Sequence, residues 1–290
     1  MNAVLLEEQT AVNTTKPKRF TCSRSKWASA GLGLSLFTVA VVLGMILGTV
    51  SNTPLTGPVA SRPMVMLVGD SITQFSSNSG GWATRLQAEY VRSVDVINRG
   101  LSGYSTQAFL DKAMTVVSHE LKTSFAPVLI TVCFGANDAS LADGPAAEKH
   151  VPLDKYQSNL VSILTEFRRV APQAKILVIS PPVVDDDTRR ERQVAGGGKS
   201  DPIDRTNTQA SLYAMASGSV VQGLKDDGIS FLNLHSYMMS YDNTTARNAL
   251  LSDGLHLSSE GNRVVFDQVR SQMQSLLPAS VLNTPQIPEL

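Results

Sequence analysis

Five short apolar runs, separated by stretches with helical periodicity, constrain the fold of this chain more than any other feature. The runs cover residues 64–68, 94–97, 127–134, 175–179 and 229–234. Apolar residues recur at helical spacing in the stretches 80–92, 105–122, 153–170, 204–225 and 258–277. Strands that alternate with helices form βαβ units, in which helices cover both faces of a parallel sheet. The sequence therefore predicts one α/β domain over residues 63–278.

The first 62 residues have a different pattern. Residues 31–50 contain no charged side chain, and twenty apolar residues are enough to cross a bilayer as a helix. Five Lys or Arg residues and only two Glu precede this segment, which predicts a cytosolic N-terminus. We therefore expect a disordered basic tail (1–26), a transmembrane signal anchor (27–50) and a linker (51–62), with the α/β domain lumenal or extracellular. A cleaved signal peptide and a secreted protein are the alternative.

Composition excludes several classes of protein. The 290 residues are 42% apolar and 17% charged, which is typical of a globular protein with a core. The net charge is zero, so no general basic surface for nucleic acid is predicted. Two cysteines without a Cys-x-x-Cys motif support neither a disulfide framework nor a zinc site. The oligomeric state is not indicated.

Three segments of the domain carry more specific expectations. The charged residues 185–202, which include three successive glycines, predict a mobile loop, with a lid over the site as the weaker alternative. Residues 279–290 hold two prolines and no periodicity, so we expect a loose C-terminal tail. Asn243-Thr244-Thr245 is a sequon that can be glycosylated if this domain is lumenal.

Polar motifs follow four of the five apolar runs. Carboxyl ends of parallel strands meet at one edge of a sheet, where ligands bind. Ester hydrolysis needs a hydroxyl nucleophile, an imidazole and an orienting carboxylate, which Ser71, His256 and Asp253 supply. The N–H groups of Ser71 and Gly103 and the Asn137 amide are candidates for an oxyanion hole. Ser71 and Asn137 can alternatively be ordinary helix caps, and Asp253 an ordinary turn residue.

These motifs resemble the four blocks of the SGNH (GDSL) hydrolases: Gly69-Asp70-Ser71, Gly103, Asn137 and Asp253-x-x-His256, in that order over roughly residues 64–275. A narrower similarity is to the isoamyl acetate-hydrolysing esterases. Its segments are Gly69-Asp-Ser-Ile-Thr-Gln74, Gly81-Trp82, Asn98-Arg-Gly-Leu-Ser-Gly-Tyr-Ser-Thr106, Phe134-Gly-Ala-Asn-Asp-Ala139 and His150-Val-Pro-Leu153. The resemblance implies a three-layer, flavodoxin-like fold and a serine esterase of small acyl esters that needs no metal or cofactor. A membrane segment departs from what this subgroup leads us to expect.

Other functions compatible with the motifs are a glycan O-deacetylase or a lysophospholipase with the same triad. From a different class, a non-catalytic, membrane-anchored binding module remains an alternative, although the complete set of reactive residues argues against it. A dinucleotide or P-loop fold is disfavoured because neither glycine motif follows a strand.

Overall fold

Five parallel strands form the central sheet of the computed structural model, which describes residues 62–285. They are β1 (Met64–Gly69), β2 (Asp95–Gly100), β3 (Leu129–Cys133), β4 (Lys175–Ile179) and β5 (Ile229–Leu232). Their spatial order, β2-β1-β3-β4-β5, is the flavodoxin-like order. The predicted three-layer α/β fold with a five-stranded parallel sheet is confirmed.

Helices connect and cover the strands. Within the described residues the α-helices are α1 (Ser71–Gln74), α2 (Trp82–Glu89), α3 (Thr106–Lys112), α4 (Met114–Thr123), α5 (Leu153–Val170), α6 (Asp186–Ala195), α7 (Asn207–Leu224), α8 (Leu234–Met239), α9 (Thr244–Asn248), α10 (Ser259–Leu276) and α11 (Ala279–Asn283). Short 3₁₀ turns cover Phe75–Ser77 and Ala147–Lys149.

Two apolar cores lie on opposite faces of the sheet. Alternate residues of β1 point to opposite sides, so Val65 and Leu67 join one core while Met66 and Val68 join the other. Helices α2, α8 and α10 supply the first core, and α3, α4, α5 and most of α7 supply the second. This double coverage explains why β1 has no alternating polar positions in its sequence.

Strand register brings three loops together at the carboxyl edge. Gly69, the last residue of β1, pairs with Gly100 of β2 on one side and with Cys133 of β3 on the other. The segments that carry Ser71, Gly103 and Asn137 therefore leave the sheet at the same level. A Cβ atom at position 69 would lie 2.2 Å from Thr73 Oγ1 and 2.5 Å from the Cys133 carbonyl oxygen, so this tight exit requires glycine.

The interpretation of residues 185–202 as a mobile loop was wrong for its first part, because Asp186–Ala195 forms α6. The Asp185 carboxylate caps this helix by accepting hydrogen bonds from the N–H and the hydroxyl of Thr188. Acidic residues occupy the first turn and Arg192 the last, which complements the helix dipole. The charged residues of this segment, which we interpreted as a solvated loop, instead form a capped helix.

Two smaller expectations also differ from the structure. The predicted helix 105–122 is divided into α3 and α4 at Ala113, whose φ of −120° is not helical. Both parts still bury an apolar residue, Phe109 and Val117, in the same core. The predicted loose tail contains α11, which buries Leu282 against the opposite core.

The predictions for the N-terminal segments fall outside the described residues. The residues that the structure does not describe are 1–26, 27–50 and most of 51–62, together with residues 286–290 of the tail. Between residues 62 and 285, no helix has both the length and the apolar character needed to cross a membrane.

Candidate active site

Ser71 begins α1 directly after β1. The preceding residue, Asp70, is the N-cap of this helix, and its Oδ1 accepts a hydrogen bond from the Ile72 N–H at 2.9 Å. The Asp70 N–H in turn donates to the Cys133 carbonyl at 3.3 Å. Ser71 is therefore held between β1 and β3 by backbone interactions, and it is largely buried. Asp70 therefore caps the helix that carries Ser71.

His256 and Asp253 lie together in a loop before α10 that reaches over Ser71. His256 Nε2 is 3.0 Å from Ser71 Oγ, and His256 Nδ1 is 2.8 Å from Asp253 Oδ2. The structure thus brings the three predicted catalytic side chains into one hydrogen-bonded chain. In this geometry Asp253 holds the Nδ1–H tautomer, which leaves Nε2 free to accept the proton of Ser71.

The second oxygen of Asp253 organises the loop. Asp253 Oδ1 accepts the N–H groups of Leu255 at 3.0 Å and His256 at 2.7 Å. Burial by itself raises the pKa of Asp253. The hydrogen bonds from the His256 side chain and from these two N–H groups outweigh it and hold the pKa well below its usual range. The carboxylate is therefore ionised at neutral pH.

The predicted oxyanion donors lie on the segments that follow β1, β2 and β3. Gly103 has a φ of +81°, which favours glycine, and a Cβ atom there would meet nothing within 4 Å. Asn137 is buried and donates one amide N–H to the Tyr104 carbonyl at 3.0 Å, which leaves its second amide hydrogen for a ligand. Within residues 62–285, the backbone N–H groups of Ser71 and Gly103 make no hydrogen bond to another backbone group.

A buried carboxyl, that of Asp138, follows Asn137 in the chain. Asp138 Oδ1 accepts hydrogen bonds from the N–H and the hydroxyl of Thr106, and Asn159 donates to the same hydroxyl. Burial raises the pKa of Asp138 to about 7. Burial also raises the pKa of Asp70 to about 6. Two groups directly beside site residues thus change charge in the neutral and mildly acidic range.

The other three histidines lie apart from this group. His150 Nδ1 is 2.6 Å from the Ser140 carbonyl oxygen, and His235 Nε2 is 3.1 Å from Asn207 Oδ1. His119 is exposed on α4. Their positions fit structural or solvent-exposed roles.

A cleft of about 370 Å³ opens beside the imidazole of His256. Its apolar wall includes Phe75, whose ring lies 5.2 Å from that of His256, and Leu257. Asp253 and His256 are its only ionisable lining residues among those described. Phe75 was missed in the sequence, although its place four residues after Ser71, one helical turn away, is a detectable signal. Arg189, which contacts Asp253, was also missed, and no local pattern indicates it.

A serine, a histidine and an aspartate joined by hydrogen bonds at the edge of a parallel sheet form the arrangement of serine hydrolases. Residues 67–264 match the model of the GDSL-like lipase/acylhydrolase family, and the chain belongs to this family. It is a carboxylic ester hydrolase, and the resemblance seen in its four motifs is confirmed.

Among its relatives is the isoamyl acetate-hydrolyzing esterase 1 homolog of Rattus norvegicus. This protein is 37% identical over 227 residues, which cover 74% of this chain and 86% of the relative. A GDSL esterase/lipase of Arabidopsis thaliana is 36% identical over 212 residues, covering 72% and 84% of the two chains.

Solved structures agree in fold. A lipase/acylhydrolase from Enterococcus faecalis superposes with a TM-score of 0.53 at 20% identity, covering 74% of this chain and 97% of its own. The acetyl xylan esterase AlAXEase gives a TM-score of 0.55 at 19% identity, with coverages of 72% and 98%. At these identities the likeness concerns the fold alone.

Proposed function

We propose that this chain hydrolyses short-chain acyl esters of the acetate type, with Ser71 as nucleophile, His256 as base and Asp253 as orienting carboxylate. The observation that carries this proposal is the unbroken hydrogen-bonded chain from Ser71 Oγ through the imidazole to Asp253. Attack by Ser71 on the ester carbonyl passes its proton to His256 Nε2. The N–H groups of Ser71 and Gly103 and the Asn137 amide stabilise the resulting oxyanion.

Collapse of the tetrahedral intermediate then releases the alcohol, which takes its proton from His256. A water molecule activated by the same imidazole hydrolyses the acyl-enzyme and regenerates Ser71. Because Asp253 is ionised, it stabilises the imidazolium that forms transiently in both steps.

The cleft beside His256 supports a small, neutral alcohol as leaving group. Its lining combines the exposed ring of Phe75 with uncharged polar side chains such as Asn78 and Ser79, and no Lys or Arg lines it among the residues described. A phosphate-bearing alcohol, as in a lysophospholipid, would find no counter-charge there. The name of the rat relative refers to an acetate ester of a small alcohol, which agrees with this choice. Acetyl, butyryl and long-chain nitrophenyl esters separate the possibilities, and a preference for long chains contradicts our proposal.

Labelling with a fluorophosphonate tests the nucleophile directly. The full-length protein is treated with the probe, and the modified residue is mapped by mass spectrometry. We expect modification of Ser71 that is lost in His256→Ala and retained in His119→Ala, since His119 is exposed on α4. A folded protein that remains unlabelled would instead favour the binding-module alternative.

We also propose that residues 27–50 anchor the enzyme in a membrane, with the hydrolase domain on the lumenal or extracellular side. The uncharged residues 31–50 and the basic segment before them support this. Asn243 is exposed at the N-terminus of α9, where a glycosyltransferase can reach it. Expression in cells should therefore give an endoglycosidase-sensitive mobility shift that disappears in Asn243→Gln. Release of the protein from membranes by alkaline carbonate would argue for the secreted alternative.

A further inference from the structure

Three successive carbonyl groups of the loop Ser252–His256, which we call the acid loop, are held by one segment of the chain. Each accepts a hydrogen bond from residues 185–192, which comprise the cap and the first two turns of α6. The bonds are Arg192 Nη2 to the Ser252 oxygen (3.1 Å), Arg189 Nη1 to the Asp253 oxygen (3.3 Å) and the Asp185 N–H to the Gly254 oxygen (2.9 Å). The segment that we expected to be mobile thus fixes the loop that carries Asp253 and His256.

Arg189 is central to this contact because it also bridges two carboxylates. It makes a bidentate pair with Asp204, with Nε 3.1 Å from Oδ1 and Nη2 2.6 Å from Oδ2. Its Nη1 lies 3.8 Å from Asp253 Oδ2, the oxygen that faces His256. The three side chains are only 10–22% exposed, so their charges are weakly screened.

Other charged groups complete the surroundings of Asp253 and His256. Arg205 is buried, and its Nε lies 3.1 Å from Asp204 Oδ2. Asp70, at the end of β1, interacts electrostatically with both His256 and Arg205. The guanidinium groups of Arg189 and Arg205 thus face the carboxylates of Asp70, Asp204 and Asp253 around this imidazole, while Arg192 binds the Ser252 carbonyl of the same loop. Removal of Arg189 would make the net charge of this cluster more negative by one unit.

We infer that Arg189 is a positioning residue for the hydrolysis proposed above, on which this inference rests. It holds the acid loop over Ser71, and its charge limits how strongly the surrounding carboxylates favour the imidazolium. Without that charge, Asp253 and Asp204 would stabilise protonated His256 further. The imidazole would then stop acting as a base at a higher pH than in the wild type.

The test compares Arg189→Met, Arg189→Lys and Arg190→Met in the full-length protein. Arg190 lies on the same helix but pairs with the exposed Asp187 and Asp201, so it is a matched control. The pH profile of kcat/KM is measured with nitrophenyl acetate, together with thermal unfolding and fluorophosphonate labelling of Ser71.

For Arg189→Met we expect kcat/KM at the pH optimum to fall about 10- to 100-fold, because a small displacement of the acid loop misaligns His256. The midpoint of the acid limb should rise by about half a pH unit to one unit. Arg189→Lys keeps the charge but cannot reproduce the bidentate pair, so it should lower kcat while leaving the acid limb in place. Arg190→Met should match the wild type in both readouts.

A folded Arg189→Met variant with an unshifted acid limb would overturn the inference, even if it were slower, because loop support alone would explain the loss. Wild-type activity in that variant would overturn it as well. If Arg189→Met does not fold, Arg189→Gln, which keeps an amide donor for the Asp253 carbonyl, is judged by the same two criteria. A wild type that is neither active nor labelled at Ser71 would refute the proposed function, and the inference with it.

Discussion

Ser71 and Asn137 follow the carboxyl ends of neighbouring strands directly, whereas Asp253 and His256 stand on a loop well beyond the end of β5. The first pair is fixed by sheet register and backbone hydrogen bonds, such as that from Asp70 to Cys133. The second pair depends on charged side chains of α6, above all Arg189. One half of the site is thus built on the central sheet, and the other half is held by polar contacts with α6 together with the buried side chain of Leu255. The halves should respond differently to substitution.

Ser71→Ala is the most severe test of the half held by the sheet. We expect esterase activity to fall by about 10⁴–10⁶-fold, because Ser71 is the only residue between 62 and 285 whose hydroxyl is hydrogen-bonded to the imidazole of His256. The thermal unfolding midpoint should hardly change, since Ser71 Oγ bonds only to that imidazole among the described residues. Activity on nitrophenyl acetate and circular dichroism check both points, and retained activity would refute the assignment of Ser71.

Asp253→Asn tests the half held by α6. The asparagine keeps the size of the side chain but no longer stabilises the imidazolium, so we expect kcat to fall about 10³–10⁴-fold. Unlike Ser71→Ala, this variant should also be less stable, because Asp253 accepts three hydrogen bonds within its loop. Kinetics and urea unfolding measure the two effects. A fully active Asp253→Asn enzyme would show that His256 is oriented by other groups.

Asn137→Ala should cost about 10²–10³-fold in kcat with little change in KM, because its amide is needed only when the oxyanion forms. Asn137→Asp is the matched variant, since it keeps the shape but places negative charge beside the oxyanion. It should be at least as slow as the alanine variant. Near-normal turnover of the aspartate variant would exclude Asn137 from the oxyanion hole.

Asp138→Asn probes the buried carboxyl that follows Asn137 in the chain, and it has the smallest expected effect. Burial raises the pKa of Asp138 from 3.8 to about 7. The stability that its neutral form provides is therefore complete below about pH 4 and is lost as the pH rises to about 7. Asparagine stays neutral at every pH. When the pH rises from 5 to 8, the free energy of unfolding should therefore decrease by about 1–3 kcal/mol less in the variant than in the wild type.

Urea unfolding at the two pH values measures this difference. Asp143→Asn, at an exposed carboxyl on the surface, serves as the control and should follow the wild type. Equal pH dependence in Asp138→Asn and the wild type would mean that Asp138 is ionised throughout this range.

The elements that could be predicted from the sequence are those with a strong local signal. The periodicity of residues 153–170 predicted α5 with its bounds, because Leu160, Ile163, Leu164 and Phe167 repeat at helical spacing. The break at Ala113 could not be predicted, since no proline or glycine marks it and both halves pack on the same core. Helix α6 was missed for a different reason. Its cap and charge order are visible in the sequence, but its lack of an apolar face hides the helical period.

The sequence by itself determined the strands, the residue types available for ester hydrolysis and their order along the chain, because apolar runs and strand-end glycines are local features. Only the tertiary structure decided that Ser71 and His256, 185 positions apart, lie 3.0 Å from each other. It also decided that Arg189 contacts Asp253 across 64 positions. Such contacts result from strand order and helix packing. These bring together residues that are far apart in the chain, and the sequence around each residue does not indicate the contact.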